Sequence, residues 1–296
     1  MIVMANGYVG RFAPSPSGPL HFGSLIAAVG SYLQARSHQG TWLVRIEDLD
    51  PPREVLGSTT AILTTLEKFG LNWDQHVIYQ SQRYPAYQAA LKQLSAQHLT
   101  YYCNCTRKQI HAQSAFYQAQ CRDKQLTADN AALRLKTLAP IDDFIDELHG
   151  KIDIVAGLAA EDFIIQRKDG LFAYNLAVVV DDIYQGITQV VRGADLIEPT
   201  GRQIYLFNQF GHAAPSYLHL PLATNTDGTK LSKQNHAPGL DSNNAKTLLI
   251  STFNFLALPV TDELRDLSID QLLQWAVQHW SVKNLPRQKS IILNTN

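Results

Sequence analysis

Tyr8-Val9-Gly10-Arg11-Phe12-Ala13-Pro14-Ser15-Pro16-Ser17-Gly18-Pro19-Leu20-His21-Phe22-Gly23-Ser24 is the stretch that decides the fold. Residues 8–13 read as a short strand, and Pro14, Pro16, Gly18 and Pro19 make a turn-rich loop. From Leu20 the pattern is helical, with Leu25, Ile26, Val29 and Leu33 on one face at three- and four-residue spacing. A helix that opens directly after a strand offers free N–H groups and the positive end of its dipole to a phosphate chain. Working outward, residues 41–46 read as the next strand, 57–69 as a helix with Ile62, Leu63, Leu66 and Phe69 inward, and 84–98 as another helix. Strand, helix, strand, helix in this rhythm predicts an α/β fold, a parallel sheet covered by helices.

Composition sets the outer limits. A chain of 296 residues can bury roughly three-quarters of what its unfolded form exposes. With 45% apolar and 17% charged residues and a net charge of −1, nothing global marks a nucleic-acid binder; a polyanionic partner needs a local basic face. No apolar run approaches the ~20 residues that span a bilayer, and Met1-Ile2-Val3-Met4-Ala5-Asn6-Gly7 lacks the basic start and long apolar stretch of a secretory signal. The expected location is the cytoplasm, with no membrane partner and a monomeric chain.

The middle of the chain changes character. Residues 99–125 carry all three cysteines, and 131–166 read as short strands and turns, among them 132–135, 152–155 and 163–166. The α/β pattern resumes with the apolar run 176–180, then 189–191, a helix near 200–210 and the strand-like 217–220. This predicts a core of 1–97 and 169–238, an inserted α+β subdomain over 98–168, and a C-terminal segment over 239–296 that is helical at about 244–257 and 269–279 and ends in a polar tail.

Two segments carry the chemistry. His21 and Ser24 are three apart and share the first helical turn, while Gly23 removes a side chain where a purine can approach the backbone. Far downstream, Asn225-Thr226-Asp227-Gly228-Thr229-Lys230-Leu231-Ser232-Lys233-Gln234 is a polar loop with two lysines flanking a serine. Taken singly, the first is a Pro/Gly loop with a surface histidine and the second a solvated loop. Yet pyrophosphate as a leaving group calls for mobile cations that meet it in the transition state, and closely spaced loop lysines suit that task.

Together the two segments resemble the signature pair of class I aminoacyl-tRNA synthetases, His21-Phe22-Gly23-Ser24 standing for the "HIGH" motif and Lys230-Leu231-Ser232-Lys233-Gln234 for "KMSKS". Arg11 to Gly18, Arg45-Ile46-Glu47-Asp48-Leu49-Asp50, Tyr174-Asn175-Leu176-Ala177 with Asp181-Asp182, and Arg192-Gly193-Ala194-Asp195 look like the glutamyl branch, in the family's order across roughly 8–240. Ser24 replaces the second histidine, Gln234 the last serine, and Leu231 a methionine of similar volume. The resemblance implies a Rossmann-type catalytic core with ATP at His21, Gly23, Ser24 and Lys233, and catalytic roles for His21, Lys230 and Lys233. It places glutamate at Arg11, Ala13, Ser15, Glu47, Tyr174 and Arg192.

The residue chemistry agrees. Free glutamate brings two carboxylates and an ammonium, so a selective site offers at least two cations and an anion. Arginine pairs with carboxylates in a two-point fork that lysine cannot make. Arg11 is assigned to the side-chain carboxylate, Glu47 to the ammonium, and Tyr174 and Arg192 to the remaining polar contacts. The substrate's carboxylate is itself the nucleophile on the α-phosphorus, so adenylation needs no general base, and Mg²⁺ is expected with the ATP.

Cys103, Cys105 and Cys121 fall within 19 residues. Such a cluster supplies three of the four ligands of a structural zinc ion; three buried free thiols are the alternative. The fourth ligand is Tyr117, which the resemblance favours, or His111, the commoner ligand type. Tyr117 and Cys121 share a face if that stretch is helical.

Only 63 residues follow Lys233. The expectation is that no anticodon-binding domain is present, and this, with the cysteine pattern, resembles the glutamyl-queuosine tRNA(Asp) synthetase family, truncated paralogues of glutamyl-tRNA synthetase. That resemblance implies a ligase that activates L-glutamate without tRNA and transfers it to the queuosine base of tRNA(Asp). Two other readings stand beside it: a minimal synthetase that charges a tRNA 3′ end, and a non-catalytic RNA-binding paralogue. Lys283, Arg287 and Lys289 form a small basic cluster near the C-terminus.

Overall fold

The computed structural model describes residues 7–225, 229, 231 and 238–293. The opening stretch folds as its pattern demands, into strand β1 (Val9–Phe12) and helix α1 (Phe22–Ser37), with Leu25, Ile26, Val29 and Leu33 all buried. Next come β2 (Thr41–Ile46), α2 (Ser58–Lys68), β3 (Ile78–Tyr79) and α3 (Tyr84–Ala96). The middle holds β4 (Thr100–Cys103), α4 (Arg107–His111), β5 (Ala132–Leu135), β6 (Asp143–Asp146), β7 (Gly150–Asp153), α5 (Ala156–Ala159) and β8 (Phe163–Gln166). Then follow α6 (Tyr174–Gln185), β9 (Gln189–Gly193), α7 (Ile197–Gln209), β10 (Ser216–Leu220), β11 (Leu222–Thr224), α8 (Ala245–Phe255), α9 (Ile269–His279) and β12 (Ser290–Ile292).

β1, β2 and β3 pair in parallel, and so do β9 and β10, with β6 beyond β10 and β7 antiparallel at the edge. The two groups meet where β9 begins: the Thr188 N–H donates to the Val9 carbonyl (2.9 Å), and the Val9 N–H donates to the Thr188 hydroxyl (2.9 Å). Across the molecule the strands therefore run β3-β2-β1-β9-β10-β6-β7. From β1 the chain winds outward through α1 to β2, and from β9 it winds the opposite way through α7 to β10. Such a switch point is where open α/β sheets bind ligands, beyond the carboxyl ends of the strands. Helix α1 packs across it, against both β1 and β9.

The middle segment divides in two. β4, β5 and β8 close an antiparallel sheet of their own, whereas β6 pairs in parallel with β10 through Tyr217 and Asp146. The range 98–168 expected as an insertion thus also sends a hairpin into the central sheet. The acidic, alternating Asp143-Phe144-Ile145-Asp146 gives little strand signal, but it buries Phe144 and Asp146 while leaving the other two exposed. The apolar run 176–180 is helical, within α6, and ends at Gly186, whose φ of 64° is the left-handed cap that glycine adopts without strain.

The C-terminal segment packs on α1, with Leu249, Phe253, Leu272, Leu273 and Ala276 in the same core cluster. Trp280 Nε1 donates to Gln34 Oε1 (2.5 Å), and the Gln34 amide donates to Gln189 (2.8 Å). The expected polar tail includes a strand, since β12 pairs in parallel with β11. Among the described residues no helix is long and apolar enough to cross a membrane.

Candidate active site

Beyond the carboxyl ends of β1, β2 and β9, the sheet gathers arginines and carboxylates. Arg11, on β1, donates from Nε (3.2 Å) and Nη2 (3.4 Å) to the Asp182 carboxylate on α6. Arg45, on β2, reaches the same carboxylate from Nη1 (2.8 Å), and also Gln185 (2.6 Å) and, through Nη2, Glu47 (3.4 Å). Burial alone would raise the Asp182 carboxyl, but Arg11 and Arg45 outweigh it and hold the group below the usual carboxylate range. Glu47 goes the other way: burial pushes it up, and Arg45 and Arg11 offset only part of that. Neighbouring Asp181 is taken up by Arg83 (2.5 Å), Gln80 (2.8 Å) and Tyr87 (2.8 Å), which fasten α6 to α3 and to the turn that precedes it.

Arg192, on β9, differs from the other two. It is 5% exposed, and no carboxylate pairs with it among the described residues. Its Nε donates to His219 Nε2 (3.2 Å), and its Nη2 donates to Thr200 Oγ1 (2.8 Å) and the Leu196 carbonyl (3.2 Å). Its Nη1 is buried and has no hydrogen-bond partner among the described residues. A buried guanidinium left in this state is costly unless a ligand's anion completes it. Tyr174 opens α6 and is partly exposed; burial raises its hydroxyl pKa, and the charges acting on it are Arg192, Glu47, Arg11 and Asp182. The fold therefore brings Arg11, Glu47, Tyr174 and Arg192 to one place. A cleft of about 360 Å³ opens beside them, lined by Ser15, Pro16, Ser17, Glu47, Asp50, Arg53 and Glu54. Ala13 lies in the loop between β1 and that cleft.

His21 is the N-cap of α1 and is 9% exposed. Its Nδ1 accepts the Ser24 N–H (3.2 Å), so the ring proton sits on Nε2. The first turn of α1 holds no acidic residue to repel a phosphate. Lys230 and Lys233 lie outside the described residues, but their neighbour Leu231 does not. A Cβ on Gly23 would stand 3.1 Å from the His21 ring and 3.2 Å from the Leu231 carbonyl oxygen. Leu231 is tied to β11 through its N–H to the Ala223 carbonyl (2.9 Å), and Leu240 N–H donates to the Leu20 carbonyl (2.8 Å). Leu231 thus lies beside the first turn of α1. The bare Gly23 makes room for the Leu231 backbone, a neighbour that sequence reasoning did not supply.

Cys103, Cys105 and Cys121 bring their Sγ atoms within 4.8 Å of one another, with Cys105 and Cys121 at 3.4 Å. Burial and the two neighbouring thiols push the Cys105 thiol up to about 12. Three thiols so close cannot all ionise without a cation among them, and the donor set fits a zinc ion. Tyr117 belongs to the same cluster: its hydroxyl oxygen accepts the Cys121 N–H (3.0 Å), and its ring lies 3.7 Å below the Arg134 guanidinium. Residues 117–121 are irregular loop running into a turn rather than a helix, with Ala119 at φ 56°, so the contact does not come from helical spacing. His111 is exposed at the end of α4 and is not part of the group.

Sequence reasoning quoted Arg45 and Asp182 without giving them a task, and it missed Asp146, Thr200 and His219. The available signal was charge inside apolar runs: Asp181-Asp182 in the middle of helix α6, and His219 between Leu218 and Leu220 on a buried strand.

The doubly wound sheet, the capped helix beside its switch point and the paired polar segments define the catalytic domain of a class I aminoacyl-tRNA synthetase. Residues 8–258 match the family "tRNA synthetases class I (E and Q), catalytic domain". Glutamate-tRNA synthetase from Elizabethkingia anophelis superposes with a TM-score of 0.80 at 22% identity, over 98% of this chain and 68% of that one. The chain is 59% identical to a glutamyl-Q tRNA(Asp) synthetase from Photobacterium profundum, over 97% of this chain and 92% of the relative. It is 58% identical to one from Yersinia pseudotuberculosis, over 96% and 86%. The chain belongs to the glutamyl-Q tRNA(Asp) synthetase family.

Proposed function

We propose that the chain activates L-glutamate with ATP in the absence of tRNA, and then transfers the glutamyl group to the queuosine base at the wobble position of tRNA(Asp). The acceptor follows the name its relatives share. The choice of amino acid rests on charge. Arg11 and Arg45 are buried against the carboxylates of Asp182 and Glu47, Asp181 pairs with Arg83 and with Arg45 Nε, and among the described residues Arg192 touches no carboxylate directly. The observation that carries the reading is Arg192, a buried guanidinium without a carboxylate partner and with Nη1 left over.

In this reading Arg192 joins Arg11 on the side-chain carboxylate, with Tyr174 beside them. Glu47 takes the ammonium, and Ala13 and Ser15 close the loop side. The α-carboxylate of glutamate attacks the α-phosphorus of ATP in line and pyrophosphate departs. His21 donates from Nε2 to the phosphate oxygens, the start of α1 faces the same charge, and Lys230 and Lys233 meet the leaving group. Gly23 and Ser24 border the nucleotide, which arrives with Mg²⁺. A hydroxyl of the queuosine cyclopentenediol then attacks the adenylate carbonyl, an ester forms, and AMP leaves.

Cys103, Cys105, Cys121 and Tyr117 would hold one structural zinc ion. Bound there, the ion clamps the segment after β4 and takes no part in adenylation. The catalytic core is 1–97 and 169–238, joined by the β6–β7 hairpin from the inserted 98–168, and 239–296 buttresses α1.

The first step is tested by ATP–pyrophosphate exchange without tRNA. Exchange that requires glutamate, and is not supported by glutamine or aspartate, is expected; absence of glutamate-dependent exchange would leave an RNA-binding role.

A further inference from the structure

The side chains that surround Arg192 make a buried chain of hydrogen bonds reaching into the β6–β7 hairpin. An arginine Nε always carries hydrogen, so His219 Nε2, at 3.2 Å, can only accept. The ring's proton therefore sits on Nδ1, which donates to Asp146 Oδ2 at 2.7 Å. Asp146 is itself fixed by the backbone N–H groups of His219 (3.0 Å), Leu148 (3.0 Å) and His149 (2.9 Å). On the other side of the guanidinium, Thr200 accepts from Nη2 (2.8 Å) and passes its own proton to the Leu196 carbonyl (2.8 Å). Tyr217 lies below, its ring centre 5.4 Å from the guanidinium carbon. Asp146, Thr200 and His219 are at most 1% exposed.

We infer that Asp146, His219 and Thr200 are positioning residues for Arg192. They take up its Nε and Nη2 donors with neutral acceptors, keep the nearest carboxylate, Asp146, one imidazole away, and leave Nη1 for the carboxylate of the amino-acid substrate. A carboxylate in place of His219 would neutralise the arginine and compete with the substrate. A neutral imidazole, held in one tautomer by Asp146, orients the guanidinium without doing so. Burial of the imidazole favours its neutral form. The pairing of β6 with β10 has a functional consequence under this assignment, because it brings Asp146 to the amino-acid pocket.

The inference rests on the reading that Arg192 binds glutamate, and the test separates the two. Pyrophosphate exchange would be measured for Arg192→Ala, His219→Leu, His219→Gln and Thr200→Val, with Tm recorded for each. His219→Leu and Thr200→Val should each raise the KM for glutamate by about tenfold, the scale of one hydrogen bond to a charged group, with the KM for ATP unchanged. His219→Gln, which can place an oxygen acceptor near the site of Nε2, should recover most of the loss. Should His219→Leu not fold, Thr200→Val, nearly equal in volume, carries the test. Folded variants with unchanged glutamate KM, or with both KM values raised alike and no rescue by glutamine, overturn the positioning role. If Arg192→Ala itself leaves the glutamate KM unchanged, the reading of Arg192 falls and the positioning role falls with it.

Discussion

Gly23 and Leu231 are in such close approach that a methyl group on the glycine would stand 3.2 Å from the Leu231 carbonyl oxygen. These two residues, 208 positions apart in sequence, are thereby neighbours across the start of α1. Gly23→Ala should separate catalysis from stability. Alanine favours the first turn of α1 by up to about 1 kcal/mol, while its methyl pushes on the His21 ring and the Leu231 backbone. Tm should hold or rise as the KM for ATP increases several-fold. Thermal melts and exchange kinetics on one preparation check both.

Asp182 is the anion that two buried arginines share, so Asp182→Asn leaves Arg11 and Arg45 short of charge. Breaking one side of such a buried pair costs about 3–5 kcal/mol. Because the folded-state pKa of Asp182 is depressed, its contribution is fully present above the unfolded value of about 3.9. It is lost as pH falls through the lower folded value. Urea titrations should show the gap between wild type and Asp182→Asn wide at pH 7 and narrowing below about pH 4.

Glu47 makes an opposite prediction. Burial raises its pKa, so it takes up a proton at a higher pH than an ordinary glutamate, and a protonated carboxyl cannot pair with an ammonium. For wild type, kcat/KM for glutamate should fall on the acid side, beginning above the usual carboxylate range. Glu47→Gln should lower kcat/KM by about tenfold or more and flatten that limb, as a pH series of exchange rates would record.

The cysteine cluster predicts one zinc ion per chain by elemental analysis. Cys121→Ala should lose the metal and lower Tm, while the glutamate KM of folded protein stays near wild type. A wild-type protein that contains no metal and whose three thiols react freely would sink the zinc site.

Much of this was legible in the sequence because the decisive residues are local. Proline and glycine punctuate 14–19, and the period of 25–33 marks α1, so the nucleotide side of the fold could be read directly. The amino-acid side could not be read so far, since its partners lie on separate strands. Arg11 and Asp182 are 171 positions apart, and Asp146 and His219 are 73 apart. No spacing rule links such pairs. β6 was missed for a related reason: its acidic sequence is a poor strand former, and its one parallel pairing to β10 is a tertiary contact. The Tyr117–Cys121 contact is local, but an irregular loop makes it where helical spacing gave the same pairing.

Activation of glutamate and its delivery to queuosine are tested together by transfer of labelled glutamate to tRNA(Asp) trimmed of its 3′-terminal adenosine. Queuosine-containing tRNA should take up label, and nuclease digestion should place that label in the anticodon fragment, while the same tRNA with unmodified guanosine takes up none. Label that disappears when the 3′ end is trimmed, or that appears equally on unmodified tRNA, would rule out queuosine as the acceptor.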